Sequence, residues 1–351
     1  MQLTKIQLDI SALQHNFQRI RQIAPGKKIL AMIKANAYGH GAIKIARGLI
    51  DADAFGVACI NEAKQLRENG ITQPIVLMQG LNSVDDLPII NSYQLQMVLH
   101  DWSQLAILEQ QQLSQPLVIW IKLDTGMHRL GFPVTALNEI IERLQKIKYI
   151  KQPLRFMTHF ASPEQLDNSL TMQQAELFLS ITDHLSGERS LANSAAIIGW
   201  PQTHGDWVRP GIMLYGVSPF PQKTGNDYDL LPVMDWTSQL IVIHQLKKGD
   251  AVGYNGTWVC PEDMSVGIVA VGYGDGYPRQ AKNGTPVLVN NKRVPLIGRV
   301  SMDMLAVDLR TQPQATIGDP VLLWGKNLPV EEIASYVDLS PYQLLCGVRE
   351  R

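Results

Sequence analysis

Two rhythms of apolar and polar positions divide these 351 residues. Through the first two thirds, short apolar runs recur between stretches with helical spacing. Runs at 29–34, 54–60, 75–78, 96–99, 117–123 and 154–160 predict buried strands, with fainter ones at 191–193 and 206–209. Helical periodicity occupies 42–49, 61–69, 134–146 and 171–185. Strands that alternate with helices form a parallel sheet, and eight such units in about 230 residues fit a closed barrel. The rhythm changes after Pro219. Residues 220–227 read as a loop, and from Trp236 onward strands are broken by Gly, Pro and Asn turns. The strands predicted there are 240–245, 265–271, 285–289, 294–297, 305–309 and 320–323. The expected fold is therefore α/β: an eight-stranded (β/α)8 barrel over residues 1–231, followed by a mostly β domain over 232–351. Two domains are also what this length requires, since one core rarely serves more than about 250–300 residues.

Charge and cysteine content narrow the function classes. Acidic and basic residues number 32 and 31, so there is no basic field for nucleic acid. The longest apolar runs, such as 116–123, are too short to cross a bilayer. The opening residues 1–9 have no continuous apolar signal core. Cys59, Cys260 and Cys346 are scattered and odd in number, which argues for a reducing compartment without disulfides. Cytoplasm is the expected location. No two cysteines or histidines have ligand spacing, so no metal is expected.

A barrel enzyme gathers its chemistry at the C-terminal ends of its strands. Those ends carry Lys34, then Lys122 and Asp124, His159, Asn193-Ser194, and Arg209-Pro210-Gly211-Ile212. Lys34 follows the apolar run 29–33. Burial disfavours an ammonium, and a neutral lysine amine forms Schiff bases with aldehydes such as pyridoxal phosphate. The Ser194 hydroxyl and the N–H groups of Gly211 and Ile212 suit a phosphate site after the seventh and eighth strands. Taken singly, each residue also has a structural reading. A strand-ending lysine can snorkel, a histidine on an apolar strand can be a satisfied core residue, and Tyr254 can be a turn tyrosine. Residues 272–278 are rich in glycine but lack dinucleotide-binding spacing.

The motifs say more in order than alone. They are Met32 to Gly41 (Met-Ile-Lys-Ala-Asn-Ala-Tyr-Gly-His-Gly), Lys122 to Gly131 (Lys-Leu-Asp-Thr-Gly-Met-His-Arg-Leu-Gly), Thr158-His159-Phe160-Ala161, Asn193-Ser194-Ala195 and Arg209-Pro210-Gly211-Ile212. Val252-Gly253-Tyr254, Gly272 to Pro278 and Gly298 to Met304 follow in the second domain. In this order and spacing the chain resembles the alanine racemase family over essentially its whole length. The resemblance implies a pyridoxal 5'-phosphate enzyme that interconverts L- and D-alanine, built as a head-to-tail homodimer with shared sites. It supplies D-alanine for peptidoglycan or serves alanine catabolism.

The same resemblance assigns roles. Lys34 holds the cofactor and acts as the base on one face of Cα, and Tyr254 serves the opposite face from the partner subunit. Arg209 hydrogen-bonds the pyridine nitrogen, and His159 links Arg209 towards Tyr254. Arg129 contacts the cofactor's phenolic oxygen and the substrate. Tyr38, Ser194, Gly211 and Ile212 bind the phosphate, beside Asn193. The backbone N–H of Met302 holds the substrate carboxylate, and Tyr273 and Asp303 line the entrance. Lys122 matches a lysine that is carbamylated in some members. A tyrosine of reference pKa about 10 needs nearby positive charge to act as a base, which a His159–Arg209 chain would supply. One departure is visible. Where many members continue into an Arg-Val-Pro segment, sometimes after a phosphate-binding tyrosine, this sequence reads Cys346-Gly347-Val348-Arg349-Glu350-Arg351.

Two other readings share parts of the pattern. A basic amino acid decarboxylase has the same two-domain plan, but Tyr254 and the Arg209 motif speak against it. A pyridoxal-phosphate carrier protein, which is no enzyme, has the barrel and lysine without a second domain. A broad-specificity racemase would be expected to carry a signal peptide.

Overall fold

The computed structural model describes residues 3–349. Strand β1 is Lys5–Leu8. The eight barrel strands are β2 (Lys28–Met32), β3 (Ala54–Val57), β4 (Ile75–Leu77), β5 (Gln96–Leu99), β6 (Ile119–Asp124), β7 (Arg155–Met157), β8 (Arg189–Asn193) and β9 (Trp207–Arg209). Each pairs in parallel with the next, and β9 pairs with β2, so the sheet closes. Closure needs strands that are apolar on both faces, because helices cover the outside and side chains fill the inside. Strands β3 and β4 are buried throughout, as that requires.

The two ends of the barrel differ. Polar and aromatic residues at the strand starts plug the N-terminal end. Arg155 pairs with Glu188 at 2.9 Å and lies 4.9 Å from the Trp120 ring, and the Trp207 indole donates to Glu188 at 2.8 Å. The opposite end opens into a cavity.

The second domain is an antiparallel sheet of β10 (Met234–Leu246), β11 (Met264–Val269), β12 (Pro286–Val289), β13 (Lys292–Ile297), β14 (Leu305–Asp308) and β15 (Pro320–Trp324). The order is β10-β11-β14-β13-β12-β15, and β15 pairs back onto β10. The long β10 makes this possible, since one half pairs with β15 and the other with β11. Trp236 and Trp324 meet inside this sheet with ring centres 4.4 Å apart.

Strand β1 joins this second sheet, pairing Lys5 to Leu8 with Thr237 to Met234. The N-terminal residues grouped with the barrel by sequence thus hydrogen-bond in the other domain's sheet. Helix Ile10–Ile23 follows at once, capped by the Asp9 carboxylate on the Ala12 N–H. Its buried Leu13, Phe17 and Ile20 show the helical spacing plainly, yet the segment was absent from the predicted helices. Helices Asp86–Ser92, Trp102–Gln110, Val330–Val337 and Pro341–Gly347 were likewise unanticipated. The four predicted helices are present, as Ala42–Gly48, Ile60–Glu68, Leu137–Gln145 and Leu170–Thr182.

Asn16 stitches the first helix to the segment between the domains. It is fully buried, donates to the carbonyls of Leu214 (3.0 Å) and Leu231 (2.8 Å), and accepts from the Leu231 N–H (2.7 Å). Asn16→Ala would leave one buried and two partly buried backbone groups without this partner. Each such group costs about 1–3 kcal/mol. The expected outcome is a loss of roughly 3 kcal/mol in urea unfolding with the m-value unchanged; a loss below 0.5 kcal/mol, within the range of neutral surface changes, would refute it.

Candidate active site

Lys34 lies two residues past β2, at the head of an unusual turn. Ala35, Asn36, Ala37 and Tyr38 all adopt left-handed backbone angles, with φ of 52°, 52°, 55° and 52°. Left-handed conformation costs an L-residue about 1–2 kcal/mol, so four in a row persist only where surroundings impose them. Those surroundings are identifiable. The Glu62 carboxylate accepts from the N–H groups of Ala35 and Ala58, both at 2.7 Å. The Ala37 N–H donates to Ile33 O at 2.8 Å, and the Asn36 side chain accepts from the Ala42 N–H at 2.9 Å. Glycine is required at 39, where φ is 81° and a Cβ would stand 2.1 Å from the Leu345 carbonyl oxygen. The turn is therefore seated on helix Pro341–Gly347.

The open end of the barrel holds a cavity of about 550 Å³. Lys34, Tyr38, Lys122, Arg129, His159, Asn193, Ser194, Arg209 and Gly211 all line it. Nine residues from five separate stretches of sequence thus converge. Ile212 is fully buried behind Gly211, at the start of a short 3-10 turn, Ile212–Tyr215. Tyr254, Tyr273, Met302 and Asp303 do not line the cavity; they belong to the second domain. There the Tyr273 N–H donates to Ser301 O and the Gly274 N–H to Met302 O, which ties two of the loops together. Gly253 approaches Arg299, which brings Tyr254 to the same neighbourhood. Tyr254 is 65% exposed and Met302 53%.

Inside the cavity positive charge is concentrated. Burial foremost, then the Arg129 guanidinium, lowers the pKa of Lys34. Burial also pulls Lys122 down to about 8, helped by Arg209, Arg129 and Lys34 and opposed by Asp124. Arg209 is 3% exposed and pairs with no carboxylate among the described residues. It donates instead to Ser190 Oγ (2.7 Å), to the carbonyls of Thr158 (2.7 Å) and Leu191 (3.0 Å), and to His159 Nδ1 (3.2 Å). A guanidinium has no acceptor, so His159 Nδ1 must be the acceptor and the neutral ring carries its proton on Nε2. Burial and then Arg209 keep His159 well below its ordinary pKa, which holds it neutral. Four cations around one cavity call for an anionic ligand.

A neutral anion cradle adjoins them. Tyr38 Oη lies so near Gly211 that a Cβ there would stand 2.5 Å from it. The Gly211 N–H points at Ser194 Oγ, 2.8 Å away. Asn193 fixes the loop by accepting from the Ala196 N–H at 3.1 Å. The Tyr38 ring lies between Tyr215, 5.0 Å away, and Tyr342, 5.9 Å away.

Tyr342 and Cys346 also line the cavity, and sequence reasoning missed both. They project from helix Pro341–Gly347, one turn apart, and that spacing of two cavity-lining residues was the available signal. The sequence departure at the C-terminus is thereby given a structural setting, since a tyrosine does reach the cavity from this end of the chain. Glu350 and Arg351 lie outside the described residues. Glu62, which holds the lysine turn, was also missed.

The comparisons with known proteins agree with this geometry. The model of the alanine racemase N-terminal domain matches residues 8–219, and that of the C-terminal domain matches 233–351. The chain belongs to the alanine racemase family. It is 49% identical to the alanine racemase of Vibrio cholerae serotype O1 over 98% of this chain and 95% of that one. It is 48% identical to the biosynthetic alanine racemase of Escherichia coli O6:H1, over 100% of this chain and 98% of that one. The crystal structure of the biosynthetic alanine racemase from Pseudomonas aeruginosa superposes with a TM-score of 0.96 at 41% identity, covering 100% of this chain and 98% of that one. The alanine racemase of Acinetobacter baumannii gives 0.91 at 39% identity, covering 100% of this chain and 98% of that one. The barrel and β domain are thus those of an amino-acid racemase, an isomerase acting on alanine. In the described residues of this racemase no helix is long and apolar enough to cross a membrane.

The depressed pKa of Lys122 has a measurable consequence. Its free value is 10.5 and its native value about 8, so the unfolded chain binds more protons between these limits. Native stability is therefore penalised as pH falls from 10.5 towards 8, and fully penalised below. Lys122→Met should stabilise the ligand-free protein below pH 8 by about 1–3 kcal/mol, with the pH-dependent part of the gain gone above pH 10.5. Unfolding in carbonate-free buffer across this range checks it; a gain that does not vary with pH would contradict the assignment.

Proposed function

We propose that this racemase binds pyridoxal 5'-phosphate through Lys34 and racemises alanine with two opposed proton carriers, Lys34 and the partner's Tyr254. The observation that carries the reading is the cavity itself: a desolvated lysine amine among uncompensated cations, beside a neutral cradle open to an anion. When bound, the cofactor acidifies the substrate Cα–H by delocalising the electron pair left on carbon. Tyr38, Ser194, Gly211 and Ile212, beside Asn193, would hold its phosphate. Arg209 would donate to the ring nitrogen, and Arg129 would contact the phenolic oxygen and the substrate carboxylate side. A guanidinium gives up its proton with difficulty, so Arg209 would donate to that nitrogen without transferring a proton to it. Lys34 Nζ, once free, takes or returns the Cα proton on its own face. Lys122, buried and easily deprotonated, fits the lysine that is carbamylated in some relatives.

The second proton carrier is absent from the cavity of a single chain. Tyr254, Tyr273, Met302 and Asp303 face outward from the second domain, and the large apolar members of that set are exposed. A head-to-tail homodimer accounts for this exposure, with each β domain completing the other barrel. The Met302 N–H would then meet the substrate carboxylate, with Tyr273 and Asp303 at the entrance. The reading places the enzyme in the cytoplasm, where it would supply D-alanine for peptidoglycan or serve alanine catabolism; two relatives are named biosynthetic, which favours the first.

Two experiments test this function. Tyr254→Phe keeps the ring but removes the phenolic proton carrier. Racemisation should fall by about 10²-fold or more, the usual range for a lost general base. In deuterated water the variant should exchange the Cα proton of D-alanine alone, since that face belongs to Lys34. Equal exchange of both enantiomers by proton NMR would exclude two separate bases. The shared site is tested by mixing inactive Lys34→Ala with inactive Tyr254→Phe. One hybrid site receives both intact residues, so partial activity should return. No recovery after verified subunit exchange would place both bases within one chain.

A further inference from the structure

We infer that Gln174 is a positioning residue for the Arg209–His159 pair, an inference that rests on the role proposed above for Arg209. Gln174 stands on helix Leu170–Thr182, which covers the outside of the barrel, and is 1% exposed. Its amide makes no bond to its own helix. Nε2 donates to His159 O at 3.2 Å and to Thr125 Oγ1 at 3.3 Å, and Oε1 accepts from the Ala161 N–H at 2.9 Å. One side chain thus uses both ends of its amide on the loop that carries His159.

The bond from Thr125 extends the clamp in a fixed direction. Thr158 Oγ1 donates its single proton to Leu123 O at 3.0 Å. It must therefore accept from Thr125 Oγ1, 2.8 Å away. Thr125, having donated, accepts from Gln174. The order Gln174, Thr125, Thr158, Leu123 runs one way, and every member is buried. Its third member, Thr158, is the residue whose carbonyl receives Arg209 Nη2, and the next residue, His159, supplies the Nδ1 that receives the same nitrogen. Gln174 thereby fixes two of the acceptors that aim the guanidinium. An apolar residue would fill the same space without burying an amide, and burial of an amide is costly unless every partner is met. A positional use of those partners accounts for its presence. Misplacement of a catalytic group by about 1 Å can cost 10²-fold in rate, so a small drift of Arg209 is enough to matter.

Gln174→Met keeps length and volume while deleting donors and acceptor. It should lower kcat by about 10-fold with KM changed by less than about 3-fold. The same substitution in an Arg209→Lys background should cost under 3-fold, because the group being aimed is gone. A purely structural glutamine would cost the same factor in both backgrounds. Thr125→Val breaks the chain but leaves Gln174 its bonds to His159 O and the Ala161 N–H, and should show the same coupling should the methionine variant fold poorly. A second readout needs no activity. In ligand-free protein with 15N-labelled histidine, His159 should show the Nε2–H tautomer, and Gln174→Met should shift or broaden that signal. Unchanged kcat and an unchanged His159 signal in Gln174→Met, beside an impaired Arg209→Lys, would overturn the Gln174 assignment alone. Full activity in Arg209→Lys would remove the function proposed for the guanidinium, and the positioning role with it.

Discussion

The contact between Gly39 and the Leu345 carbonyl joins the site's two most distant parts of sequence. The lysine turn is left-handed at four residues in succession, and such a turn does not hold its shape alone. It is held from below by Glu62 and from above by helix Pro341–Gly347, whose backbone leaves no room for a Cβ at residue 39. The same helix brings Tyr342 against Tyr38 and Cys346 to the cavity wall. Its end is fixed in turn, because the Arg349 N–H donates to Asp275 O and Gly276 packs on Gly347. A chain of contacts therefore runs from the loop of Tyr273 to Lys34. The last helix of the second domain is part of the first domain's site.

Charge is the second constraint. A ligand-free cavity that gathers Lys34, Lys122, Arg129 and Arg209 is destabilised first by the burial of these charges and then by their mutual field, and the lowered pKa values of the two lysines are the signs of that cost. The protein limits it by giving Arg209 four neutral acceptors instead of a carboxylate. A carboxylate would relieve the cavity more fully, but it would also satisfy the cations that an anionic ligand is meant to meet. Neutral acceptors orient the guanidinium and leave its charge available. The neutrality of His159 follows from the same arrangement.

The sequence makes the barrel legible because all eight strands are short apolar runs, and the cavity-facing residues stand at or just past their C-terminal ends. The predicted ends were slightly long: β2 stops at Met32, and β7 at Met157, so Lys34 and His159 belong to the turns that follow. Helix Ile10–Ile23 was readable from Leu13, Phe17 and Ile20 and was passed over. Other features leave no trace in local pattern. Pairing of β1 with β10 joins residues more than two hundred apart, and only register settles it. The left-handed turn is equally hidden, since Ala-Asn-Ala-Tyr is not a sequence of positive-φ residues; its conformation is imposed by tertiary contacts. Tyr342 was missed for the same reason, as its place depends on where the last helix docks.

These constraints bear on the proposal that the chemistry needs two chains. Within one chain, the C-terminal helix ties the second domain to the lysine turn and fixes the two domains against each other. The loops of Tyr254, Tyr273 and Met302 are therefore held away from their own barrel's cavity and left exposed. A hinge that swung them inward would have to break the Gly39–Leu345 seating and with it the strained turn that presents Lys34. A second copy, as proposed, would reach the cavity without any such movement. Rigid docking would then supply the proposed opposed base while Lys34 stays where strain and burial have placed it, which is the geometry that two-base racemisation at a single carbon would require.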